Sequence, residues 1–166
     1  GLLKEEFPNL NYKIVGETES VPSFYSHLKD LIKKYGLEQR IEFLGRISDD
    51  QLRDLYNRCS VFVLSAQTRE GAFEGFPMVF YEAQAGGAPL ISTRGFGSEY
   101  VIKDGYNGFL TDENDIKGTA EAIKKIVGNP NLHQQMVKNS LAEANKHTWD
   151  KIAQIIMQMY KDGLEK

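Results

Sequence analysis

Two carboxylates, Glu74 and Glu82, stand seven residues apart in the stretch FEGFPMVFYEAQAGGAPLIST, Phe73 to Thr93. Pro77 lies between them and suits the first position of a helix, where its missing N–H costs nothing and its φ is already helical. The next free amides, on Met78 and Val79, then point out of the helix end beside the positive pole of its dipole, which makes a seat for a phosphate. Glu82 falls about a turn and a half into that helix, leaning back toward its start. A carboxylate there repels phosphate, but it can accept from two hydroxyls at once. Glu74, just outside the helix, would accept from hydroxyls on the far side of the phosphates. Two hydroxyl-rich groups flanking a diphosphate describe a nucleotide sugar. The residues leave a second reading open, in which Glu82 faces solvent and Glu74 is a loop acid that stabilises the helix dipole.

The surrounding pattern supplies a scaffold for such a seat. Five short β-type runs are legible: Tyr12–Val15, Arg40–Leu44, Val61–Leu64, Pro89–Ser92 and Gly108–Leu110. Most are continuously apolar, as strands covered on both faces are. Helical patterns separate several of them. Phe24, Leu28, Leu31, Ile32 and Tyr35 share a face of the first, which Gly36 closes. The second opens with Ser48 and Gln51 at capping-box spacing. Strand alternating with helix predicts an α/β fold with a Rossmann-like, doubly wound parallel sheet. Three further helices follow, at Asp115–Val127, Asn131–Lys146 and Trp149–Leu164. In the last, Trp149, Ile152, Ile155, Ile156 and Met159 form a stripe expected to pack into the core. In such sheets ligands settle beyond the carboxyl ends of the strands. The loops leaving those ends, GETES, GRIS, SAQTREGAFEGFP and TRGFGS, are glycine-rich and polar.

Composition narrows the classes. The chain has 166 residues, 41% of them hydrophobic and 26% charged, enough for one ordinary domain with a core. Its 20 basic and 23 acidic side chains give a net charge of −3, so no basic footprint suggests nucleic acid. The single cysteine, Cys59, excludes an internal disulfide framework and fits a reducing compartment; its expected role is a small buried side chain. No run approaches the roughly 18 apolar residues that span a bilayer. His27, His133 and His147 are scattered, so neither a metal site nor another cofactor is expected. The opening GLLKEEFPN reads like the end of a helix already under way, as though the chain began inside a larger protein.

The frame around the two acids resembles the group one glycosyltransferases, whose hallmark is Glu, seven residues, Glu, in a run like EGFG…LEAMA-G-PVIAT. The resemblance extends through YKIVG, RIEFLGRISDDQLRDLYNRCSVFVLS and EYVIKDGYNGFLTD, in family order, over roughly residues 8 to 150. It implies the carboxy-terminal, donor-binding half of the two-domain GT-B architecture, with residues 1–166 forming one nucleotide-sugar-binding domain and the acceptor-binding amino-terminal domain absent. By resemblance, Glu74 is the catalytic-site acid and contacts the donor sugar with Gly75, Phe76 and Pro77. The Met78 and Val79 backbone lines the diphosphate, Glu82 holds the ribose, and Gly16, Gly45, Arg46 and Ile47 receive the base. Arg46 is placed either as a planar stacking partner or as a solvated loop arginine. No family role is carried over for Arg69 or Arg94.

The implied activity is retaining transfer of a hexose-type sugar from a nucleotide-diphosphate donor to a glycan or lipid-linked acceptor, without a cofactor. The implied location is cytoplasmic, peripheral at the inner face of a membrane if the acceptor is a lipid. Two departures bear on this. The family commonly has glycine where this chain has Pro77, which removes an amide. The Arg and Lys that clamp the diphosphate in the family lie upstream of this segment, so this half alone is expected to be inactive. The rival from another class is a noncatalytic nucleotide-sugar-binding or interaction module.

Overall fold

The computed structural model describes residues 1–18, 21–67 and 78–164. They divide into two compact units, Gly1–Leu52 and Arg53–Lys166.

In the first unit, β1 (Tyr12–Val15), α1 (Pro22–Tyr35) and β2 (Ile41–Gly45) follow in the expected order. β1 and β2 pair in parallel, with Tyr12 opposite Ile41 and a register shift that sets Val15 opposite Gly45. Gly36 adopts φ +61° and ends α1: its N–H bonds the Lys33 carbonyl, and the Leu37 N–H reaches Ile32. That is a Schellman closure, which needs a left-handed residue. The predicted apolar face is corrected at two positions, because Tyr35 at its far end is exposed as well as Phe24. Tyr25 instead meets Phe43 of β2 edge-to-face, with ring centroids 4.9 Å apart. Continuous apolar character also failed to predict burial here, because Tyr12 and Val15 of β1 are largely exposed in this two-stranded pairing.

Ser48 and Gln51 form the expected capping box at the start of α2 (Asp49–Arg58). The Ser48 N–H donates to Gln51 Oε1 at 3.0 Å, and the Gln51 N–H donates to Ser48 Oγ at 3.3 Å.

The second unit is built on β3 (Phe62–Leu64), β4 (Leu90–Thr93) and β5 (Gly108–Thr111), parallel and in that spatial order. β4 lies in the middle and is buried along its whole length. Around it run α3 (Met78–Ala85), a 3-10 turn at Gly97–Tyr100, α4 (Ile116–Val127), α5 (Pro130–Ala144) and α6 (Trp149–Leu164). Asp115 caps α4 by accepting from the Gly118 N–H at 2.8 Å, and Asn129 caps α5 through the Leu132 N–H at 3.1 Å. Ile91, Ala122, Ile126 and Met136 form the core, with Val61, Val63 and Phe109 packed against it. The parallel α/β architecture and the helix-rich end therefore agree with the sequence pattern.

The stripe on α6 does not. Trp149, Ile155, Ile156 and Met159 are exposed, Trp149 by 77%, and α6 has no buried residue. Periodicity reports that a helix has an apolar face, and nothing in it reports whether another element covers that face. Cys59 is half-buried, its Sγ donating to the Tyr56 carbonyl at 3.5 Å, and burial pushes its thiol pKa up.

α5 is tied to the turn before β5 by a buried acid. Glu143, 5% exposed, meets Lys103 Nζ at 2.8 Å and Lys146 Nζ at 2.7 Å. The hydrogen bonds from Lys103 and then Lys146 hold its carboxyl below the usual glutamate range. A folded-state pKa below the unfolded one means the unfolded chain binds more protons in acid. The stabilisation is thus full above the ordinary value of about 4.3 and lost as pH falls through the folded value. Glu143→Gln is expected to cost about 1.5 kcal/mol at neutral pH. It should also flatten the decline of the urea midpoint between neutral pH and the acid range; an unchanged slope would exclude the triad as its source.

Candidate functional site

α3 is short and almost wholly apolar, and Glu82 is its one charged residue. Phe80, Ala83 and Gln84 face inward, which leaves Glu82 on the outer face, four residues on from Met78 and hence one turn above it. Both Met78 and Glu82 are exposed. The helix has no acidic side chain in its first turn, so no carboxylate of its own competes for the amides at that end. Its other end stops at Gly86–Gly87, as the sequence predicts. Gly87 has φ +83°, the Gly87 N–H bonds Gln84 and the Ala88 N–H bonds Ala83.

The Glu82 carboxylate is held from outside its own helix. Tyr56, the only buried residue of α2, donates its hydroxyl to Glu82 Oε2 at 3.1 Å. Burial, then the Glu82 charge and this hydrogen bond, raises the Tyr56 pKa far above that of a free phenol. The hydroxyl therefore stays protonated and acts as donor. Among the described residues no second hydrogen bond engages the carboxylate.

Tyr56 is itself fixed at two further points. Its ring meets Phe62 of β3 edge-on at 5.7 Å, and Phe62 meets Phe80 of α3 at 5.5 Å. Gly86 passes so close that a Cβ there would lie 2.8 Å from the Tyr56 carbonyl carbon. Gly86 thus allows α2 and α3 to approach, beyond ending the helix. Sequence reasoning missed Tyr56, which is separated from Glu82 by 26 positions. Its one sequence signal is an aromatic residue beside Leu52 and Leu55 on an otherwise polar helix, just before an apolar strand.

In the first unit, the carboxyl ends of β1 and β2 close together. The Gly16 N–H bonds the Gly45 carbonyl at 2.9 Å, and the two glycines have φ +134° and +63°. A Cβ at either would meet nothing within 4 Å, so backbone conformation rather than crowding calls for glycine there. Arg46 leaves this turn exposed and paired with Glu17, Nη2 to Oε2 2.7 Å. Ile47 is half-buried. Arg94, beyond β4, is engaged by Asp104 at 2.7 Å and Asp112 at 3.7 Å. Glu74, Gly75, Phe76 and Pro77, with Arg69, lie outside the described residues.

Among the described residues no group of three or more His, Cys, Asp or Glu side chains is placed to hold a metal ion. His133 bonds the Ser60 carbonyl at 2.9 Å, and His147 lies edge-on to Tyr81 at 5.1 Å. Among the described residues no helix is long and apolar enough to cross a membrane.

A family described as glycosyl transferases group 1 matches residues 1–143. An uncharacterized glycosyltransferase of Methanocaldococcus jannaschii is 29% identical over 154 residues, covering 93% of this chain and 41% of the relative. The chain thus spans about two fifths of that relative's length. The structure of Anabaena HepE in complex with UDP-glucose superposes with TM-score 0.77 at 23% identity, over 96% of this chain and 42% of that one. The C-terminal domain of LpcC, a group 1 family protein of Francisella tularensis, gives TM-score 0.77 at 21% identity, over 87% of this chain and 73% of that one. The fold is that of the carboxy-terminal half of a GT-B architecture.

Proposed function

This chain belongs to the group 1 glycosyltransferases, and from that premise we propose that it is the donor-binding half of a retaining hexosyltransferase. The donor is a nucleotide-diphosphate sugar and the acceptor a glycan or lipid-linked sugar, bound mainly by an amino-terminal domain. Residues 1–166 act as one donor domain of a cytoplasmic enzyme, peripheral at the membrane when the acceptor is a lipid.

The observation that carries this reading is the exposed Glu82 carboxylate, oriented by Tyr56 one turn above the start of α3. A fixed acceptor beside outward-pointing amides suits a ribose hydroxyl pair next to a diphosphate. Met78 and Val79 line the phosphates. Glu74, with Gly75, Phe76 and Pro77, takes the sugar, Glu74 being the catalytic-site acid. Gly16, Gly45, Arg46 and Ile47 receive the base, with the Arg46 guanidinium offering a planar face. The UDP-glucose bound by HepE supports a nucleotide sugar as the donor class.

The chemistry assigned to these residues is electrostatic. As the bond between sugar and diphosphate breaks, negative charge grows on the leaving oxygen. Amides already aimed at that position stabilise the charge without reorganising. Glu82 and Glu74 hold the groups on either side, which keeps the breaking bond in register with those amides.

Calorimetry with UDP, GDP and ADP tests the reading, and at least one is expected to bind. Glu82→Ala should weaken that ligand about tenfold, the loss of one charge-assisted hydrogen bond worth about 1.5 kcal/mol. Binding of none of the three, or unchanged affinity in the variant, would overturn the assignment.

A further inference from the structure

We infer that Tyr56 is a positioning residue of the donor site, orienting Glu82 so that the site distinguishes ribose from deoxyribose. The inference rests on the ribose role proposed for Glu82.

A glutamate on an exposed helix face ordinarily samples several rotamers, and each ordered one costs side-chain entropy. Here the Tyr56 hydroxyl occupies Oε2 at 3.1 Å. That bond restricts the carboxylate, and Oε1 of the exposed Glu82, which has no hydrogen-bond partner among the described residues, is left as the acceptor for an incoming hydroxyl. The entropy is lost on folding rather than on binding, which is how preorganisation raises affinity.

Two contacts and burial prevent Tyr56 from following Glu82 instead of leading it. Its ring is set against Phe62, its backbone is pinned by the close pass of Gly86, and the residue is buried. The donor is as constrained as the acceptor is free. Because the phenol stays protonated, it keeps one acceptor site on Oε2 filled and leaves Oε1 clear for the incoming sugar. A ribose brings both its 2′- and 3′-hydroxyls to the oriented carboxylate, and a 2′-deoxyribose brings the 3′-hydroxyl alone.

The test compares the tightest binder among UDP, GDP and ADP with its 2′-deoxy analogue, on the protein and on Tyr56→Phe, which deletes one oxygen and keeps the ring packing. The ribonucleotide should weaken by about three- to tenfold, the range of an ordinary hydrogen bond because Tyr56 acts through Glu82, and the deoxy analogue, with one hydroxyl fewer at the carboxylate, by less. The ribo-to-deoxy ratio therefore falls. In the Glu82→Ala background the same change should leave the ratio where Glu82→Ala alone puts it.

The outcomes separate the two claims. If Glu82→Ala collapses the ratio and Tyr56→Phe does not, Tyr56 is structural only and the inference fails alone. Equal weakening of both ligands by Tyr56→Phe also overturns it. If Glu82→Ala leaves the ratio intact, or none of the diphosphates binds, the ribose assignment fails and the inference falls with it.

Discussion

Gly108→Ala is expected to destabilise the second unit by more than about 3 kcal/mol. A Cβ on Gly108 would lie 1.9 Å from the Leu90 carbonyl oxygen and 2.7 Å from its carbon. Both are backbone atoms of β4, the strand at the centre of the three-stranded sheet, and Gly108 pairs directly with Leu90. No side chain can swing aside to relieve that overlap.

The two strands cannot separate either, because a buried network fixes the turn before β5. Asn107, fully buried, accepts from the Lys103 N–H at 2.7 Å and donates to the Val101 carbonyl at 3.0 Å. Ser140 of α5 donates to the Ala88 carbonyl at 2.9 Å, tying the start of β4 to the same place. A shift large enough to admit a methyl group would break these bonds in the interior. For a chain of this size the cost corresponds to a fall in Tm of about 10 °C. Gly105→Ala is the control: Gly105 has φ +75° but open space around it, so only backbone strain of about 1–2 kcal/mol is expected. Equal melting of the two variants would show that crowding at Gly108 is not what demands glycine.

How much of this was legible in the sequence depended on whether the cause was local. The five strands, the Ser48–Gln51 cap and the two glycine helix ends were read within a residue or so, because each is fixed by neighbours in the chain. Glu82 was picked out because a lone acid in an apolar helix is conspicuous in a linear pattern. What placed its carboxylate, Tyr56, comes from another helix through a packed aromatic run, and no spacing encodes that contact.

Gly86 and Gly108 show the same limit. Both read as turn or strand-start glycines, whereas each makes room for backbone brought close only by the fold. The α6 stripe failed in the opposite sense. Its 3.6-residue pattern was real, and the exposure of Trp149 and Met159 depends on what faces them. The four sugar-site residues, Glu74 to Pro77, fall outside the described residues.

Gln84→Met is expected to stabilise the protein by about 2–3 kcal/mol. Gln84 is 1% exposed on the inner face of α3, and among the described residues neither its amide nitrogen nor its amide oxygen has a hydrogen-bond partner. Each such atom gave up water on folding without replacement, at about 1–3 kcal/mol apiece. Methionine has nearly the same length and helix propensity, fills the same space and has no strong polar group to desolvate.

The gain should appear as a higher urea midpoint with unchanged slope, since the surface exposed on unfolding is nearly the same. Gln84→Ala separates polarity from volume: it also removes the amide, but it leaves a cavity and should gain far less or lose stability. A Met variant no more stable than the parent would mean that the amide is satisfied in solution, for example by a buried water. Gln84 lies two residues beyond Glu82 on the opposite, inward face, and the substitution leaves the Tyr56–Glu82 bond untouched. Nucleoside-diphosphate affinity should therefore stay at its parental value while stability rises. That separation follows from the build of α3, whose inner face sets stability and whose outer face carries the proposed ribose contact.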